Sequence, residues 1–510
     1  MKKLSNLEYL QLSRLHKIGY KLKCFFSAIP TKFLNLFKKI GRFFKKIGIG
    51  IKDNIIDIGR TFKNGDWKTR TSYFIMGFGN LARGQILRGL LFLLFEVAFI
   101  VYMIFAGAHW LSLLPTLGTV APQVDVYIEE LDTFTNIPAP DSSFKILLYG
   151  TLSIIFMICL VYTWRLNIKQ NKIAEEIIKS GKKIKSNKDD LKSALDDQFH
   201  KTLLALPTLG IIIFTMLPIL FMILIAFTNF DAQHDGVNNN LFTWIGMDNF
   251  NQLLGWNNGE TSFNATFGEI LTWTLLWAFI ATFSNYFLGM FVAMMINKKG
   301  IKMKKLWRTI LVLTIAIPQF ISLMYVSKMF ADKGIINGIL QKWGWIDQPI
   351  RFWGDKWSAR WTVILINIWI GIPYLMLITT GILMNIPQDL YESAKIDGAN
   401  PWQQYTKITL PYVLFVTAPY LLTSFIGNIN NFNVIYLLTG GGPKNPGSMS
   451  SGAPAGYTDL LITWLFKLTT QDSNYKLAAV IGIMVFVVVA VISLIVYNLM
   501  PSTRNEEDFS

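Results

Sequence analysis

Charged residues are scarce in this chain of 510 residues. Asp, Glu, Lys and Arg together make up 16% of the sequence, whereas 52% of it is hydrophobic. A soluble globular protein contains about 25% charged residues. The composition therefore excludes an ordinary soluble domain and indicates a membrane protein.

Cysteine and histidine are also rare. The two cysteines, Cys24 and Cys159, are too few for a disulfide framework and lack metal-ligand spacing, and the four histidines form no HExxH pattern. We therefore expect no catalytic residue, no metal site and no cofactor. The phosphate-binding motif GxxxxGK(S/T) is missing too, so we expect no ATP hydrolysis by this chain and do not predict an enzyme. The first 70 residues carry lysines throughout, which argues against a cleavable signal peptide.

The formal net charge of +16 comes from basic residues that gather in the first 86 positions and in short loops beside apolar segments. That distribution is typical of a protein that contacts an anionic membrane surface. No base-reading motif accompanies the charge, so we expect no nucleic-acid partner.

A helix that spans a bilayer needs about 20 mostly apolar residues. Eight segments of the sequence meet this criterion, and they predict an all-α membrane protein. The predicted spans are Leu87–Ala108, Lys145–Trp164, Leu203–Phe227, Leu271–Ile296, Leu306–Phe330, Trp361–Met384, Tyr412–Leu438 and Leu477–Met500.

The loop lysines and arginines predict the orientation. The basic N-terminal segment and the lysine-rich loop Arg165–Thr202 should be cytoplasmic, whereas His109–Phe144 and Asn229–Ile270 contain no Lys or Arg and should be outside. The loop Ala331–Arg360 weakens the alternation because it is basic although it should be outside. Both termini are then expected in the cytoplasm.

The predicted organisation has four parts. Residues 1–86 form a cytoplasmic basic region, 87–202 contain two spans and a lysine-rich loop, 203–500 form a six-span core that includes the loop 386–411, and 501–510 are a cytoplasmic tail. The region 1–86 carries apolar residues at helical spacing with lysines between them, which predicts an amphipathic helix. That helix either lies in the membrane interface or packs on the protein's own cytoplasmic side. The apolar stripe consists of Phe33, Phe37, Ile40, Phe44, Ile47, Ile51, Ile55, Ile58 and Phe62.

The loop 386–411 is too polar to cross a bilayer, yet its residues predict two short helices. Pro387 suits a first helical turn, and Gly398 suits a helix end. Asn400, Pro401 and Gln403 then predict a new start with a capping box. A helical loop of this kind either docks a partner or caps its own bundle.

The spacing in this loop resembles the signature loop of ABC importer permeases. The residues that carry the resemblance are Glu392, Ser393, Ala394, Gly398, Ile408, Leu410 and Pro411, with Ser393 in place of an alanine. The resemblance implies the type I permease fold of these importers. It also implies that the loop is a coupling helix that sits in a cleft of an ATP-binding subunit, where Glu392 is the charged residue best placed to anchor it.

Other stretches resemble the larger membrane subunit of maltose and maltodextrin importers. They are Trp369–Tyr374, Asn430–Phe432, Leu437–Pro443 and Pro454–Leu461. The resemblance implies a permease subunit in a bacterial plasma membrane. Its implied partners are a second permease subunit, two ATP-binding subunits, an extracellular sugar-binding protein and an oligosaccharide substrate.

The same resemblance implies a sugar site midway across the membrane. Its residues would be Ile370, Gly371, Tyr374, Ser424, Gly427, Asn428 and Asn431. Sugars need amide and hydroxyl partners beside an apolar surface, and the last four residues share a face of one predicted helix. Alternatively, the asparagines join helices to one another. Gly427 and Ile315 stand where the maltose permease has aromatic residues, which leaves longer maltodextrins or another oligosaccharide open.

One alternative substrate and two other classes of function compete with this interpretation. The nearest is a permease for raffinose-type or other sugars. A secondary transporter should show paired charges within its spans, but Glu96 is the one acid in the first span, and helix packing explains it more simply. A membrane-embedded enzyme should show clustered His, Asp or Glu residues, which the sequence lacks.

Overall fold

A computed structural model describes the chain over residues 41–42, 45–46, 48–121, 127–128, 133–134, 140–184, 186–236, 240–255, 261–298, 300–449 and 454–499. Within these residues the chain is almost entirely helical. Its β-structure consists of a short antiparallel pair, Tyr127–Ile128 with Thr133–Phe134, and two isolated β-bridges. The first five residues of the predicted apolar stripe, from Phe33 to Ile47, lie outside the described residues, and the other four, from Ile51 to Phe62, lie in a helix.

The helices of the first half of the chain are numbered in chain order. They are α1 (48–64), α2 (Trp67–Thr71), α3 (Phe78–Leu81), α4 (Ile86–Tyr102), α5 (Ala108–Leu113), α6 (Ser143–Lys179), α7 (Asn187–Leu195), α8 (Phe199–Ile211), α9 (Leu217–Ile225) and α10 (Asp248–Leu254). Wider π-helical turns, Met103–Gly107 and Ile212–Met216, join α4 to α5 and α8 to α9.

The second half contains the longest helices of the core. They are α11 (Thr261–Asn297), α12 (Lys304–Ala316), α13 (Gln319–Met329), α14 (Ile335–Lys342), α15 (Lys356–Met384), α16 (Gln388–Ile396), α17 (Pro401–Gln404), α18 (Leu410–Ile429), α19 (Phe432–Thr439), α20 (Pro446–Met449), α21 (Leu461–Thr470) and α22 (Tyr475–Leu499). A π-helical turn, Tyr405–Thr409, joins α17 to α18.

Seven helical segments within the described residues are long and apolar enough to cross a membrane, and a bent pair of helices makes a possible eighth. These eight segments correspond in order to the eight predicted spans, so the predicted all-α membrane fold is confirmed. The seven are Ile86–Leu113, Ser143–Lys179, Phe199–Ile225, Phe263–Asn297, Lys356–Met384, Pro401–Thr439 and Tyr475–Tyr497.

The fifth predicted span, Leu306–Phe330, is not one straight helix. It consists of α12 and α13, which meet at an angle of 92°. Pro318 causes the break because proline has no backbone N–H and disfavours helical geometry in the residue before it. Ile317 accordingly has a ψ of 126°, which is an extended conformation.

Two helices extend beyond the limits of the predicted spans. α6 continues to Lys179, well past the predicted end at Trp164, because the polar sequence that follows remains a good helix former. The seventh span begins at Pro401 instead of Tyr412. Pro411 cannot donate a hydrogen bond to the carbonyl of Lys407, and the wider turn Tyr405–Thr409 directly before it keeps the helix continuous.

The described residues form two compact units. The first contains the described residues up to 109 and those of 152–209, and the second contains the described residues of 110–151 and those from 210 on. The four-part organisation predicted from the sequence stays a prediction.

A buried polar cluster stabilises the first unit. The side chain of Arg83 is only 1% exposed, and its Nη2 lies 2.6 Å from Asp66 Oδ1 and 2.7 Å from Thr69 Oγ1. Its Nη1 donates to Asn171 Oδ1 over 2.8 Å, and Glu175 Oε2 lies 4.0 Å from Nη2. These contacts connect α2 and the segment after α3 to the middle of α6. In the same unit, Glu96 accepts a hydrogen bond of 2.8 Å from the backbone N–H of Met76, which is the packing role favoured for this acid.

Replacing Arg83 by methionine should lower the free energy of unfolding by about 2–3 kcal/mol, because the change leaves Asp66, Thr69 and Asn171 without the charged donor that they share. The measurement is a denaturant titration of the purified chain in mild detergent. Lys179→Met is the matched control, because Lys179 pairs with the same Glu175 but is 65% exposed, so its loss should have a much smaller effect on unfolding. Equal effects of the two changes would contradict the central role of Arg83.

The second unit is built around α11, which packs against α15 and α18. A small residue permits the close approach: a Cβ on Gly289 of α11 would lie 2.6 Å from the Cβ of Leu375 on α15. Polar side chains connect the same helices, since the hydroxyls of Tyr286 and Thr417 lie 2.8 Å apart. Small residues and hydrogen bonds of this kind are typical of helix packing within membranes.

Candidate functional site

The loop 386–411 folds as two short helices around a glycine, as predicted. Pro387 is the residue before α16 and not part of its first turn, which corrects the prediction by one position. Gly398 has a φ of +75°. Its N–H donates to the carbonyl of Lys395 and the N–H of Ala399 donates to that of Ala394, which is a Schellman motif. Glycine suits this position because other L-residues are strained at positive φ.

The second helix of the loop starts with the predicted capping box. Asn400 Oδ1 accepts from the N–H of Gln403 over 2.8 Å, and Gln403 Oε1 accepts from the N–H of Asn400 over 2.9 Å. Pro401 occupies the first helical position. Both ends of the turn between α16 and α17 are therefore fixed by local hydrogen bonds, and the turn is not a slack linker.

One group of the motif residues attaches the loop to the bundle. Ile408 and Leu410 pack against a buried cluster that includes Tyr286 and Val413. Tyr391, on α16, shares a 2.8 Å hydrogen bond with the buried hydroxyl of Thr409. A displacement of α16 would therefore be transmitted directly to the start of α18.

The other group of motif residues faces outward. Glu392 and Ser393 are exposed, Ala394 is half-buried, and Pro411 is exposed at the start of α18. Apolar side chains beside them are exposed as well: Ile396 is 87% exposed and Trp402 is 69% exposed. Large apolar side chains at the tip of a rigid polar loop are typical of a surface that another protein covers.

The predicted sugar residues on α15 have different surroundings. Tyr374 is 51% exposed, and its ring centroid lies 6.3 Å from that of Tyr420 on α18. Ile370 is half-buried against a core cluster. Gly371 faces α11, where an added Cβ would lie 2.3 Å from Asn285 Nδ2, so this glycine permits close helix packing.

The predicted sugar residues in and after α18 also differ in exposure and in their contacts. Gly427 is exposed with open space around its Cα, and Ser424 lies on the same helix next to the hydroxyl of Tyr420. Asn428 Nδ2 donates to Thr282 Oγ1 on α11 over 3.0 Å. Asn431 does not share the helical face, because α18 ends at Ile429 and Asn431 is the N-cap of α19.

Asn428 and Asn431 are thus brought together, and the amide of Asn431 donates to Asn428 Oδ1 over 3.3 Å. Ile315, the other departure from the maltose pattern, is exposed in the last turn of α12, next to the bend at Pro318. The roles of all these residues in sugar binding stay predictions.

Sequence reasoning missed a charged network at the N-terminal ends of α11 and α15. Glu269 Oε1 lies 2.6 Å from Lys356 Nζ, and Glu269 Oε2 accepts from Asn445 over 2.9 Å. Arg360 donates to the carbonyl of Tyr457 over 2.8 Å. The excess of basic residues in the loop Ala331–Arg360 could have indicated this network. Two of those residues, Lys356 and Arg360, pair with Glu269 on α11. The network fixes the segment between α19 and α21.

We find no candidate metal site in the part of the chain that the structure describes. No group of three or more His, Cys, Asp or Glu side chains is placed there to hold an ion.

Several known transport proteins are similar to this chain. Residues 285–505 match the family described as binding-protein-dependent transport system inner membrane component. The maltodextrin transport system permease protein MalC of Streptococcus pneumoniae is 34% identical over 83% of this chain and 93% of its own length. MdxF of Bacillus subtilis, also a maltodextrin permease protein, is 33% identical over 85% of this chain and 95% of its length.

A third relative differs in the sugar that its name gives. The galactooligosaccharides transport system permease protein GanP of Bacillus subtilis is 32% identical over 85% of this chain and 97% of its length. The relatives cover both units of the chain, including the first two spans and the loop 386–411. The chain is therefore a multi-pass membrane protein that belongs to the family of binding-protein-dependent sugar permeases of ABC importers.

Proposed function

We propose that the chain is the larger membrane subunit of an ATP-driven importer for maltodextrins. The observation that carries this proposal is its similarity, along more than four fifths of its length, to two permeases that are named for maltodextrin. The chain would form half of the translocation path, in a bacterial plasma membrane and with both termini in the cytoplasm.

The loop 386–411 would couple this path to ATP hydrolysis in two separate ATP-binding subunits. Its exposed residues Glu392, Ser393, Ile396 and Trp402 would enter the partner's cleft, and Gly398 would keep the tip rigid. Ile408 and Leu410 would connect that tip to the bundle, and Ala394 and Pro411 would lie beside the docked surface. Closure of the ATP-binding subunits would then favour one of two states of the spans. A second permease subunit and an extracellular sugar-binding protein complete the proposed assembly.

The proposed sugar site lies between α15 and α18. Tyr374 and Ser424 would contact the sugar directly, Ile370 and Gly371 would shape the wall behind it, and Asn428 and Asn431 would offer amide groups. The open space at Gly427 supports a wide site that admits longer maltodextrins. Polar side chains within a span are costly and usually face a cavity or another helix, so this arrangement suits a translocation path.

Galactooligosaccharides are the second candidate substrate, because a permease named for them is nearly as similar to this chain. Uptake of labelled sugars by cells that lack only this chain decides between the two. Maltose, maltotriose, maltotetraose, raffinose and a galactooligosaccharide are measured in parallel, with the intact gene restored as the control. We expect a selective loss of maltodextrin uptake. A selective loss of galactooligosaccharide or raffinose uptake would contradict the proposed substrate but would leave the assignment as a permease unchanged.

A further inference from the structure

A long groove lies between α1 and α6 in the first unit. Its volume is about 1160 Å³, which exceeds that of a typical pocket for a drug-sized ligand. The polarity of its walls changes along α6. One end is lined by the apolar or aromatic residues Ile154, Met157, Ile158, Val161 and Tyr162, and the other end is lined by charged residues. An occupant of this groove should therefore be apolar along part of its length and polar at one end.

The polar face of α1 is already occupied by α6. Asp57 lies 2.6 Å from Arg165 Nη2 and 2.7 Å from Lys172 Nζ, and Asn54 accepts from Arg165 over 3.1 Å. Hydrogen bonds from Lys172 and Arg165 hold the pKa of Asp57 below its ordinary value, so this carboxylate stays ionised at neutral pH. The apolar side of α1 is left uncovered in the described chain, and Ile55 of the groove wall is 63% exposed.

The charged end of the groove contains more basic than acidic side chains within the described residues. Arg165, Lys169 and Lys172 face two carboxylates, Asp57 and Glu176, so one positive charge is in excess. Nη1 of Arg165 is buried and finds no hydrogen-bond partner within the described residues. An anionic ligand that reached this nitrogen would supply the missing hydrogen-bond acceptor. Lys169 is exposed and forms no ion pair within the same residues.

We propose that the groove binds one anionic phospholipid, with its phosphate between Arg165 and Lys169 and an acyl chain along Ile55, Ile158 and Val161. The apolar end lies on the part of α6 that spans the membrane, and the cationic end lies where that helix leaves it, so a lipid would enter sideways from the bilayer. A soluble anion would use only the charged end, and an apolar helix would leave the cations unpaired. The site is independent of the transported sugar.

The test compares lipids retained by the full chain, purified in mild detergent and exposed to mixed micelles. The probes are phosphatidylglycerol and phosphatidylcholine with identical acyl chains, and native mass spectrometry counts the bound lipid. The intact chain should retain one phosphatidylglycerol in preference to phosphatidylcholine. Lys169→Gln should weaken that retention roughly fivefold, since one lysine near an anionic lipid contributes that much. Ile158→Trp, which fills the apolar end, should also reduce it.

Matched control variants separate this site from the rest of the surface. Lys182→Gln removes an exposed lysine of the same unit that does not line the groove, and Leu94→Trp enlarges an exposed apolar residue of α4. Neither should alter retention. Equal retention of the two lipids would overturn the proposal, as would equal effects of Lys169→Gln and Lys182→Gln. Retention that is insensitive to Ile158→Trp would point to an anion bound at the charged end alone, and would overturn it too.

Discussion

The change Glu392→Lys should abolish sugar uptake and leave the chain in the membrane. Glu392 is exposed on α16, and no hydrogen bond or ion pair holds it within the described part of the chain. Its loss should therefore not disturb the fold. Reversing a charge at a docking surface turns an attraction into a repulsion, and close interfacial charge pairs contribute about 2–5 kcal/mol. We expect uptake of labelled maltotriose to fall at least about tenfold, since each 1.4 kcal/mol is a factor of ten.

The control for this change lies on the same helix. Asp389 is also exposed and stands one turn before Glu392, outside the motif, so Asp389→Lys makes the same charge change at another position. It should leave most of the uptake intact. Immunoblots of membrane fractions establish that each variant is present. Normal uptake by Glu392→Lys would disprove docking through this residue, and equal losses in both variants would assign the effect to net charge.

The features that the sequence predicted well are those that neighbouring residues determine. The capping box of Asn400 and Gln403 and the helix end at Gly398 each depend on contacts within five residues, so spacing alone is sufficient. Apolar segments of about 20 residues likewise predict spans, because a bilayer imposes that length on any helix that crosses it. The break at Pro318 was also local, but hydropathy alone does not register a proline in an apolar segment.

The features that the sequence did not predict depend on contacts between distant residues. The hydrogen bond between Tyr391 and Thr409 and the pairing of Glu269 with Lys356 require the packing of separate helices. The same holds for Asn428, because spacing placed it on a helical face but did not reveal that Thr282 of α11 lies opposite. The sequence shows which residues share a face of a helix, but only the folded structure shows which residues of another helix that face contacts.

The contact between Asn428 and Thr282 allows the two roles considered for the asparagine to be separated. If Asn428 contacts the sugar, Asn428→Leu should lower the maximal rate of sugar uptake about tenfold, because a lost hydrogen bond contributes about 1.4 kcal/mol. Thr282→Val removes the hydroxyl that accepts from Asn428 but keeps the amide and the shape of the site. An interhelical hydrogen bond within a membrane contributes about 0.6 kcal/mol on average, so Thr282→Val should transport nearly normally.

The comparison requires uptake rates and the stability of each variant in detergent. A ligand role predicts that Asn428→Leu lowers transport while its unfolding resembles that of Thr282→Val. A packing role predicts instead that both variants lose stability and transport together, because each breaks the same contact between α11 and α18. In that case Tyr374 and Ser424 would remain as the polar side chains between α15 and α18 that can reach a sugar, and the open space at Gly427 would be the feature that sets the width of the path.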